Sequence, residues 1–351
     1  MKGRINLVHY SGNPGGIEIL IPVTVRSMKD WQFNCFIIRP PSSLKPDLYY
    51  ESGIPVTYGD NSNIRAFIKL WQYANKHKNE VFHVFNIGPF FLLVLRLAGV
   101  EKVLYSIRGT IYWKNFIQFM VRKFFWKIAI IERYKFIANS DYSRECFINK
   151  VYSGHDIIVV YNPLNNERLK NNNDLKRDPF KIIYAGRIDN GKNLFRWLDV
   201  AAYIHKHLPA YQFELYGTGS LVEKLREYSE QLGLFGCVSF MGFTDDIGAV
   251  YRRSGLVIFL SEYESFGNVV VESILSHTPV IASSIPSMKE IFKNYPDFLV
   301  NPDENLEVSI LNKIGNIDKL TNLTLKAAEE FRERFSLEKH INTLNRLYAG
   351  L

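Results

Sequence analysis

The sequence predicts an α/β protein built from two doubly wound parallel sheets. Short apolar runs, typical of strands buried on both faces, alternate with helical segments along nearly the whole chain. This alternation breaks once, at residues 162–179, where Asn and Pro cluster as in a linker. A length of 351 residues suits two domains of ordinary size. We therefore expect an N-terminal domain over residues 1–161, a linker over 162–179 and a C-terminal domain over 180–334.

The strands follow from the apolar runs in chain order. The first domain is predicted to contain Ile5–His9, Phe33–Ile38, Val81–Phe85, Val103–Ile107, Tyr134–Ala138 and Ile157–Val160. The second is predicted to contain Ile182–Ala185, Phe213–Tyr216, Val238–Met241, Leu256–Leu260, Val280–Ala282 and Phe298–Val300. Helices are expected between them, with amphipathic examples at Ile64–His77 and Tyr142–Lys150.

The composition is that of a soluble globular protein, with 47% apolar and 22% charged residues. Neither a secretory signal nor an apolar run long enough to cross a bilayer is apparent, and three scattered cysteines suggest a reducing cytoplasm. The charge is uneven. Residues 1–160 hold 21 Lys and Arg against 11 Asp and Glu, whereas residues 161–351 hold 22 against 24. This asymmetry indicates that the first half meets something anionic.

Residues 112–136 form a basic aromatic region. Nine aromatic and six cationic side chains occur there with one acid, Glu132. Such a mixture suits the headgroup layer of an anionic membrane surface, where amphipathic rings and long cationic side chains both lie comfortably. Alternatively, the aromatics face the domain core and the cations face water. Binding to nucleic acid is not expected, because the cations are spread among apolar residues without a recognisable module.

The most informative stretch is Leu256–Ser283. A buried strand is followed by a polar loop, Ser261–Phe266, and by a helix that begins near Gly267. Ligands of open α/β sheets bind beyond the carboxyl ends of the strands, and backbone amides at a helix start bind phosphate. Glu264 and Glu272 stand eight residues apart, so both can line one pocket beside sugar hydroxyls.

The segment E-S-F-G-N-V-V-V-E, followed by H-T-P-V-I-A-S, resembles the E-x7-E motif of retaining glycosyltransferases of family four. The preceding strand and the S-F-G segment make the resemblance specific. It implies the GT-B architecture, in which two Rossmann-like domains face a cleft. It also implies that the C-terminal helix, about 335–351, packs back onto the first domain.

The resemblance implies roles for residues of the second domain. The segment G-R-x-x-x-x-K-N, which holds Arg187 and Lys192, resembles the phosphate clamp of the family, and Glu264 would contact the donor sugar near its anomeric centre. Glu272 would accept hydrogen bonds from ribose hydroxyls. The nucleotide-sugar site would further include Gly186, Gly217, Gly242, Phe243, Phe266, Gly267 and Asn268. Taken alone, the two cations could be solvated loop residues, and Glu272 could simply stabilise an early helical turn through the helix dipole.

Two loops of the first domain carry further candidates. Gly15 and Gly16 lie in a turn into a helix, without the dinucleotide spacing G-x-G-x-x-G, and the turn alone could explain them. The resemblance implies that they lie beside the acceptor and donor phosphates. Arg108 follows a strand where many family members have His, so no general base is assigned there. Arg108 would instead hold an acceptor phosphate or the donor sugar.

Known metal-binding spacings, such as D-x-D, H-E-x-x-H or paired Cys and His, do not occur in the sequence. We therefore expect no metal site and no cofactor, with the NDP-sugar acting as a substrate.

The resemblance implies a retaining glycosyltransferase, a hexosyltransferase, which uses a UDP- or GDP-sugar. Its expected acceptor is a polyprenyl-diphosphate-linked oligosaccharide in O-antigen, capsule or other surface polysaccharide biosynthesis. The expected location is cytoplasmic and peripheral on the inner face of the plasma membrane. Two alternatives stay open: a non-catalytic GT-B-like partner subunit of a transferase, and a nucleotide-sugar epimerase of the same architecture. Donor-dependent release of nucleoside diphosphate argues against the first. A changed sugar without any acceptor identifies the second.

Overall fold

A computed structural model describes residues 2–11, 16–41, 53–110, 115–163, 169 and 176–351. The chain divides into two compact units. Unit 1 comprises Met1–Pro163 with Leu337–Leu351, and unit 2 comprises Leu164–Ser336.

Unit 1 is built on a seven-stranded parallel sheet in the order β3-β2-β1-β4-β5-β6-β7. Its strands are β1 (Gly3–Ser11), β2 (Trp31–Arg39), β3 (Val56–Tyr58), β4 (Val81–Phe85), β5 (Val103–Ile107), β6 (Lys135–Ala138) and β7 (Ile157–Val159). Its helices are α1 (Gly16–Ser27), α2 (Asn63–His77), α3 (Pro89–Leu97), α4 (Phe116–Ala129), α5 (Asp141–Lys150) and α13 (Leu337–Ala349). The sequence missed β3, because its three residues form a half-exposed edge strand without an apolar run.

Helices cover both faces of this sheet, since the side chains of successive strand residues point to opposite faces. Val8 packs with the buried faces of α2, α3, α4 and α5, whereas Leu7 packs with α1 and α13. The α13 residues Ile341, Leu344 and Tyr348 belong to this second core. The C-terminal helix is thus part of unit 1, although the chain reaches it after completing unit 2.

Unit 2 contains a six-stranded parallel sheet in the order β10-β9-β8-β11-β12-β13. Its strands are β8 (Asp178–Ala185), β9 (Gln212–Tyr216), β10 (Val238–Gly242), β11 (Ser254–Phe259), β12 (Val280–Ser283) and β13 (Leu299–Val300). Its helices are α6 (Leu194–His207), α7 (Val222–Gln231), α8 (Ile247–Arg253), α9 (Asn268–Leu275), α10 (Pro286–Ile291), α11 (Leu306–Ile314) and α12 (Ile317–Arg334), with a 3-10 helix at Pro296–Phe298.

Each sheet has one point at which the strand order reverses. In unit 1 this point lies between β1 and β4, and in unit 2 it lies between β8 and β11. Loops that leave two such strands diverge to opposite sides and leave a crevice at the carboxyl edge. The predicted fold class, two doubly wound parallel-sheet domains, is confirmed. Among the described residues, no helix is long and apolar enough to cross a membrane.

Candidate active site

The loops after β8, β9 and β10 lie side by side at the carboxyl edge of the unit 2 sheet. The Gly186 amide donates to the Tyr216 carbonyl at 3.0 Å, and the Gly217 amide donates to the Gly242 carbonyl at 2.7 Å. A Cβ on Gly217 would collide with the Gly186 carbonyl oxygen, and the φ of Gly217 is 137°. Three of the predicted glycines therefore come together, and Gly217 is required by a close approach between two backbones.

Arg187 lies on the loop between β8 and α6 and keeps most of its side chain in solvent. That side chain is 68% exposed, with Nη1 3.6 Å from Oδ2 of Asp189. Asp189 Oδ1 accepts from the Ser220 amide at 2.9 Å and from its hydroxyl at 3.0 Å. The bond from the Ser220 amide is the main cause of the lowered pKa of Asp189. The buried Tyr184 hydroxyl donates to the Arg187 carbonyl at 2.8 Å. The loop backbone is held firmly while the guanidinium stays accessible.

Lys192 and Glu264 meet across the point where the sheet reverses. Lys192 follows β8 and Glu264 follows β11, and Nζ of Lys192 donates to Oε1 of Glu264. The two side chains are only 16% and 17% exposed. The Ser261 hydroxyl also donates to Oε1 of Glu264, at 3.3 Å. Both residues were predicted as site residues from separate motifs, and their direct pairing was not foreseen.

The start of α9 brings further predicted residues to the same edge. Gly267 is the N-cap with φ 100°, and Asn268 is the first helical residue. The Phe266 side chain is buried and packs edge-on against Phe335 at 5.3 Å between ring centroids. Its ring therefore anchors the loop and only its backbone can serve a ligand. One turn further, Oε2 of Glu272 accepts a hydrogen bond from the Tyr251 hydroxyl of α8 at 3.1 Å.

Two further positions of unit 2 bear on the predicted site. Phe243, which follows Gly242, is 54% exposed and can meet a ligand. His277, which follows α9, has a φ of 58°, a left-handed conformation that a non-glycine residue adopts at some cost.

In unit 1, Arg108 lies at the carboxyl end of β5. Its Nη1 donates to Oδ1 of Asn162 at 2.5 Å, and the guanidinium carbon lies 5.3 Å from the centre of the Phe85 ring. Burial lowers the pKa of Arg108 to about 10, so the side chain stays protonated at neutral pH. Gly16 is the first residue of α1, and Gly15 lies outside the described residues.

Buried histidines surround Arg108. His83 bonds through Nδ1 to the Tyr348 hydroxyl at 2.6 Å and through Nε2 to the Ser106 hydroxyl at 2.9 Å. Burial, together with the charge of Arg108, lowers the pKa of His83 and also lowers that of His340, the latter to about 3. Both rings are neutral at pH 7. His83 joins β4 to α13, and His340 of α13 bonds through Nδ1 to the Tyr161 carbonyl at 3.0 Å. Arg108 thus carries its charge beside two neutral rings.

The structure divides the basic aromatic region into two parts. Its helix, α4, is shorter than the region itself, and Phe136 belongs to β6. In the first turns of α4, Phe116 is 74%, Ile117 75% and Phe124 61% exposed. At its end, Trp126 and Ala129 are buried. Tyr112, Trp113 and Lys114 lie outside the described residues. Core packing therefore explains the second part of the region but not the first.

Sequence reasoning missed the side-chain contacts of Asp189 and Tyr251. Asp189 lies two residues from Arg187 in the clamp segment, and this spacing was a signal that could have been used. Tyr251 gave no signal, because its contact with Glu272 joins two helices that only the fold brings together. Within the described part of the chain, no group of three or more His, Cys, Asp or Glu side chains could hold a metal ion.

Comparison with known proteins supports the fold and the class of protein. Residues 165–328 match the family model described as Glycosyl transferases group 1. The "Vi polysaccharide biosynthesis protein VipC/TviE" of Salmonella typhi is 29% identical over 172 residues, which are 47% of this chain and 29% of that protein.

A transferase of Campylobacter jejuni is 28% identical over 136 residues, 38% of this chain and 37% of that protein. It is named as an "alpha-1,4-N-acetyl-D-galactosaminyltransferase" that acts on a glycan linked to PP-undecaprenol. The crystal structure of "Anabaena Alr3699/HepE in complex with UDP-glucose" is similar over 99% of this chain and 100% of that chain, with a TM-score of 0.81 and 21% identity. That likeness shows the fold.

The family match over residues 165–328 and the two parallel-sheet units together identify the class of protein. The chain is a glycosyltransferase with the GT-B architecture.

Proposed function

We propose that this glycosyltransferase moves a hexose, with retention of anomeric configuration, from an NDP-sugar to a lipid-linked glycan in surface polysaccharide biosynthesis. The observation that carries the proposal is the meeting of Lys192 and Glu264 across the β8–β11 reversal, on the loop that also presents Arg187. The cations and the helix start at this edge suit the diphosphate of an NDP-sugar, and the carboxylates of Glu264 and Glu272 suit the hydroxyls of its sugar and of its ribose.

The cations act on the leaving group. When the bond between the anomeric carbon and the diphosphate breaks, a further negative charge develops on the diphosphate. The solvent-exposed Arg187 offers a bidentate fork and Lys192 a point charge. The backbone amides of Phe266, Gly267 and Asn268, at the positive pole of α9, add fixed dipoles. Preorganised charge of this kind is usually the largest catalytic term.

The acidic groups bind the uncharged parts of the donor. Glu264 accepts hydrogen bonds from donor-sugar hydroxyls near the anomeric centre, and Glu272 accepts them from the ribose. Gly186, Gly217 and Gly242 line the nucleotide site on loops that their backbones hold together, and the exposed Phe243 flanks the base. Retention follows if the acceptor hydroxyl attacks on the face that the diphosphate leaves. Its oxygen then bonds to the anomeric carbon, and its proton passes to a diphosphate oxygen.

We also propose that no divalent ion takes part, because Arg187, Lys192 and the start of α9 supply the positive charge that such an ion would bring. Turnover that is unchanged in excess EDTA is the expected result.

For the donor we favour a UDP-sugar over a GDP-sugar, since a protein of the same fold binds UDP-glucose. For the acceptor we favour a polyprenyl-diphosphate-linked oligosaccharide, because a relative acts on a PP-undecaprenol glycan. Arg108, with Gly15 and Gly16, would meet the acceptor phosphates. O-antigen and capsule are the product classes that fit, given a relative named for Vi polysaccharide biosynthesis.

A lipid-linked acceptor places the enzyme at a membrane, and α4 offers the surface. Its first turns expose Phe116, Ile117 and Phe124 beside Arg122 and Lys123. The wider segment of residues 61–129 holds 11 Lys and Arg against 2 Asp and Glu. Exposed apolar side chains in a segment with an excess of cationic over acidic residues fit the headgroup layer of an anionic bilayer. The proposed location is the cytoplasmic face of the plasma membrane, as a peripheral protein.

The test is turnover with UDP-, GDP- and ADP-sugars, with and without a polyprenyl-diphosphate glycan, followed by NMR of the product. We expect acceptor-dependent release of UDP and a product with the anomeric configuration of the donor. An inverted product would exclude retention. A changed sugar without acceptor would identify an epimerase, and absence of nucleotide release from every donor would favour the partner-subunit alternative.

A further inference from the structure

The loop after β8 and the loop after β11 are joined at three consecutive residues. The Glu262 amide donates to the Gly191 carbonyl at 3.0 Å. The next residue, Tyr263, lays its ring against the backbone of Gly191. The third, Glu264, forms the ion pair with Lys192. One short segment of the second loop therefore holds two neighbouring residues of the first.

Gly191 is shaped for this contact. Its φ is 84°, in the left-handed region that favours glycine, and a Cβ at this position would collide with Cζ, Oη and Cε1 of Tyr263. Tyr263 remains 39% exposed. Its ring therefore covers the loop without being part of the domain core, and it occupies the place that any side chain at position 191 would need.

We propose that Tyr263 is a positioning residue, whose ring holds the Lys192 loop in register with Glu264. This inference rests on the proposed function, because it assigns Tyr263 to the same reaction. Lys192 has a long, flexible side chain, so the place of its ammonium depends on the backbone beside it. That backbone is fixed by the Gly191–Glu262 hydrogen bond and the Tyr263 ring. When the ring is lost, only the Gly191–Glu262 hydrogen bond and the ion pair restrain the loop, and the donor meets a less precisely placed ammonium group.

The experiment compares Tyr263→Ala, Tyr263→Phe and Gly191→Ala with Tyr203→Ala, a matched tyrosine of α6 that lies outside the site. The readouts are kcat with a UDP-sugar, Kd for UDP and hydrogen exchange of residues 187–193. We expect Tyr263→Ala to lower kcat by about 10- to 100-fold, since small misplacements of catalytic groups cost that much. The Kd for UDP should change less than kcat, because only the diphosphate meets the displaced Lys192 and the contacts assigned to the nucleoside are elsewhere.

The ring and not the hydroxyl is the proposed agent, so Tyr263→Phe should keep kcat within about threefold of the wild type. The pair Gly191→Ala and Tyr263→Ala should lose less than the two single losses combined, since each displaces the same ring. Hydrogen exchange of residues 187–193 should be faster in Tyr263→Ala than in the wild type. It should be unchanged in Tyr263→Phe and Tyr203→Ala.

Equal kcat in Tyr263→Ala and the wild type would overturn the inference, as would equal losses in Tyr263→Ala and Tyr263→Phe. If the wild type turns over no donor, the proposed function fails. Hydrogen exchange then decides the positioning role on its own: unchanged exchange in Tyr263→Ala overturns it.

Discussion

The carboxyl edges of the two sheets differ in how they are built. In unit 2 the edge is held by short contacts between loops, so that Lys192, Glu264 and the α9 start have defined neighbours. In unit 1 the corresponding region places Arg108 among neutral histidines, and α4 exposes apolar and cationic side chains. This difference fits the proposed function, in which unit 2 would bind a small, charged donor and unit 1 a large, partly apolar acceptor.

The sharpest test of this contrast is Arg187→Ala. If unit 2 stabilises a leaving diphosphate, the variant should lose about 10²- to 10³-fold in kcat, roughly 3–4 kcal/mol, because a preorganised charge is removed where negative charge develops. UDP affinity should fall much less. Arg187→Lys is the control, which keeps the charge without the fork. Equal losses in kcat and in UDP affinity would contradict a role specific to the transition state.

Glu264→Gln tests the ion pair itself. The change removes the carboxylate that Lys192 meets, so we expect UDP to bind more tightly, about three- to tenfold, while kcat falls by about tenfold or more. Titration calorimetry with UDP measures the first effect and nucleotide release the second. Lys192→Met is the matched control and should weaken UDP binding. Weaker UDP binding by Glu264→Gln would show that the pair holds the loop and does not compete with the ligand.

The unit 1 half of the comparison is tested with vesicles. Arg122→Ala combined with Lys123→Ala should lower binding to vesicles that contain phosphatidylglycerol by about 10- to 30-fold, because each cation near an anionic surface contributes about 1 kcal/mol. Lys224→Ala with Arg226→Ala, on α7 of unit 2, is the matched pair. Binding should also weaken with salt. Equal losses by both pairs would remove the special role of α4.

The smallest expected effect concerns the buried histidine. The pKa of His340 is lowered to about 3 in the folded chain, whereas an unfolded histidine has a value of about 6.5. The unfolded state therefore binds more protons between these values, and the stability that His340 contributes is present above pH 6.5 and lost as the pH falls towards 3. The melting temperature of the protein should therefore be lower at pH 5 than at pH 7, and this difference should be smaller in His340→Gln. An unchanged pH difference in that variant would mean that His340 is not its source.

Much of the fold was predictable from the sequence, because buried parallel strands are continuous apolar runs. Val81–Phe85 and Val103–Ile107 were located to the residue. The candidate site was only partly predictable. Motifs identified Glu264 and Lys192, but their pairing joins residues 72 positions apart through two loops whose conformation depends on Gly191 and Tyr263.

The sequence also could not predict which aromatic residues of α4 are exposed. Its aromatic residues serve the core at one end and face solvent at the other, and the pattern alone contains no sign of where that change occurs.

The measurement that tests the central claim most directly is calorimetric titration of UDP into the wild type and Glu272→Ala. Glu272 lies on α9 beside the proposed diphosphate site and receives the Tyr251 hydroxyl. If this edge of unit 2 holds the nucleoside, the wild type should bind UDP and the variant should bind it at least about tenfold more weakly, the value of one hydrogen bond to a charged group. Equal affinity in the two proteins would contradict the account.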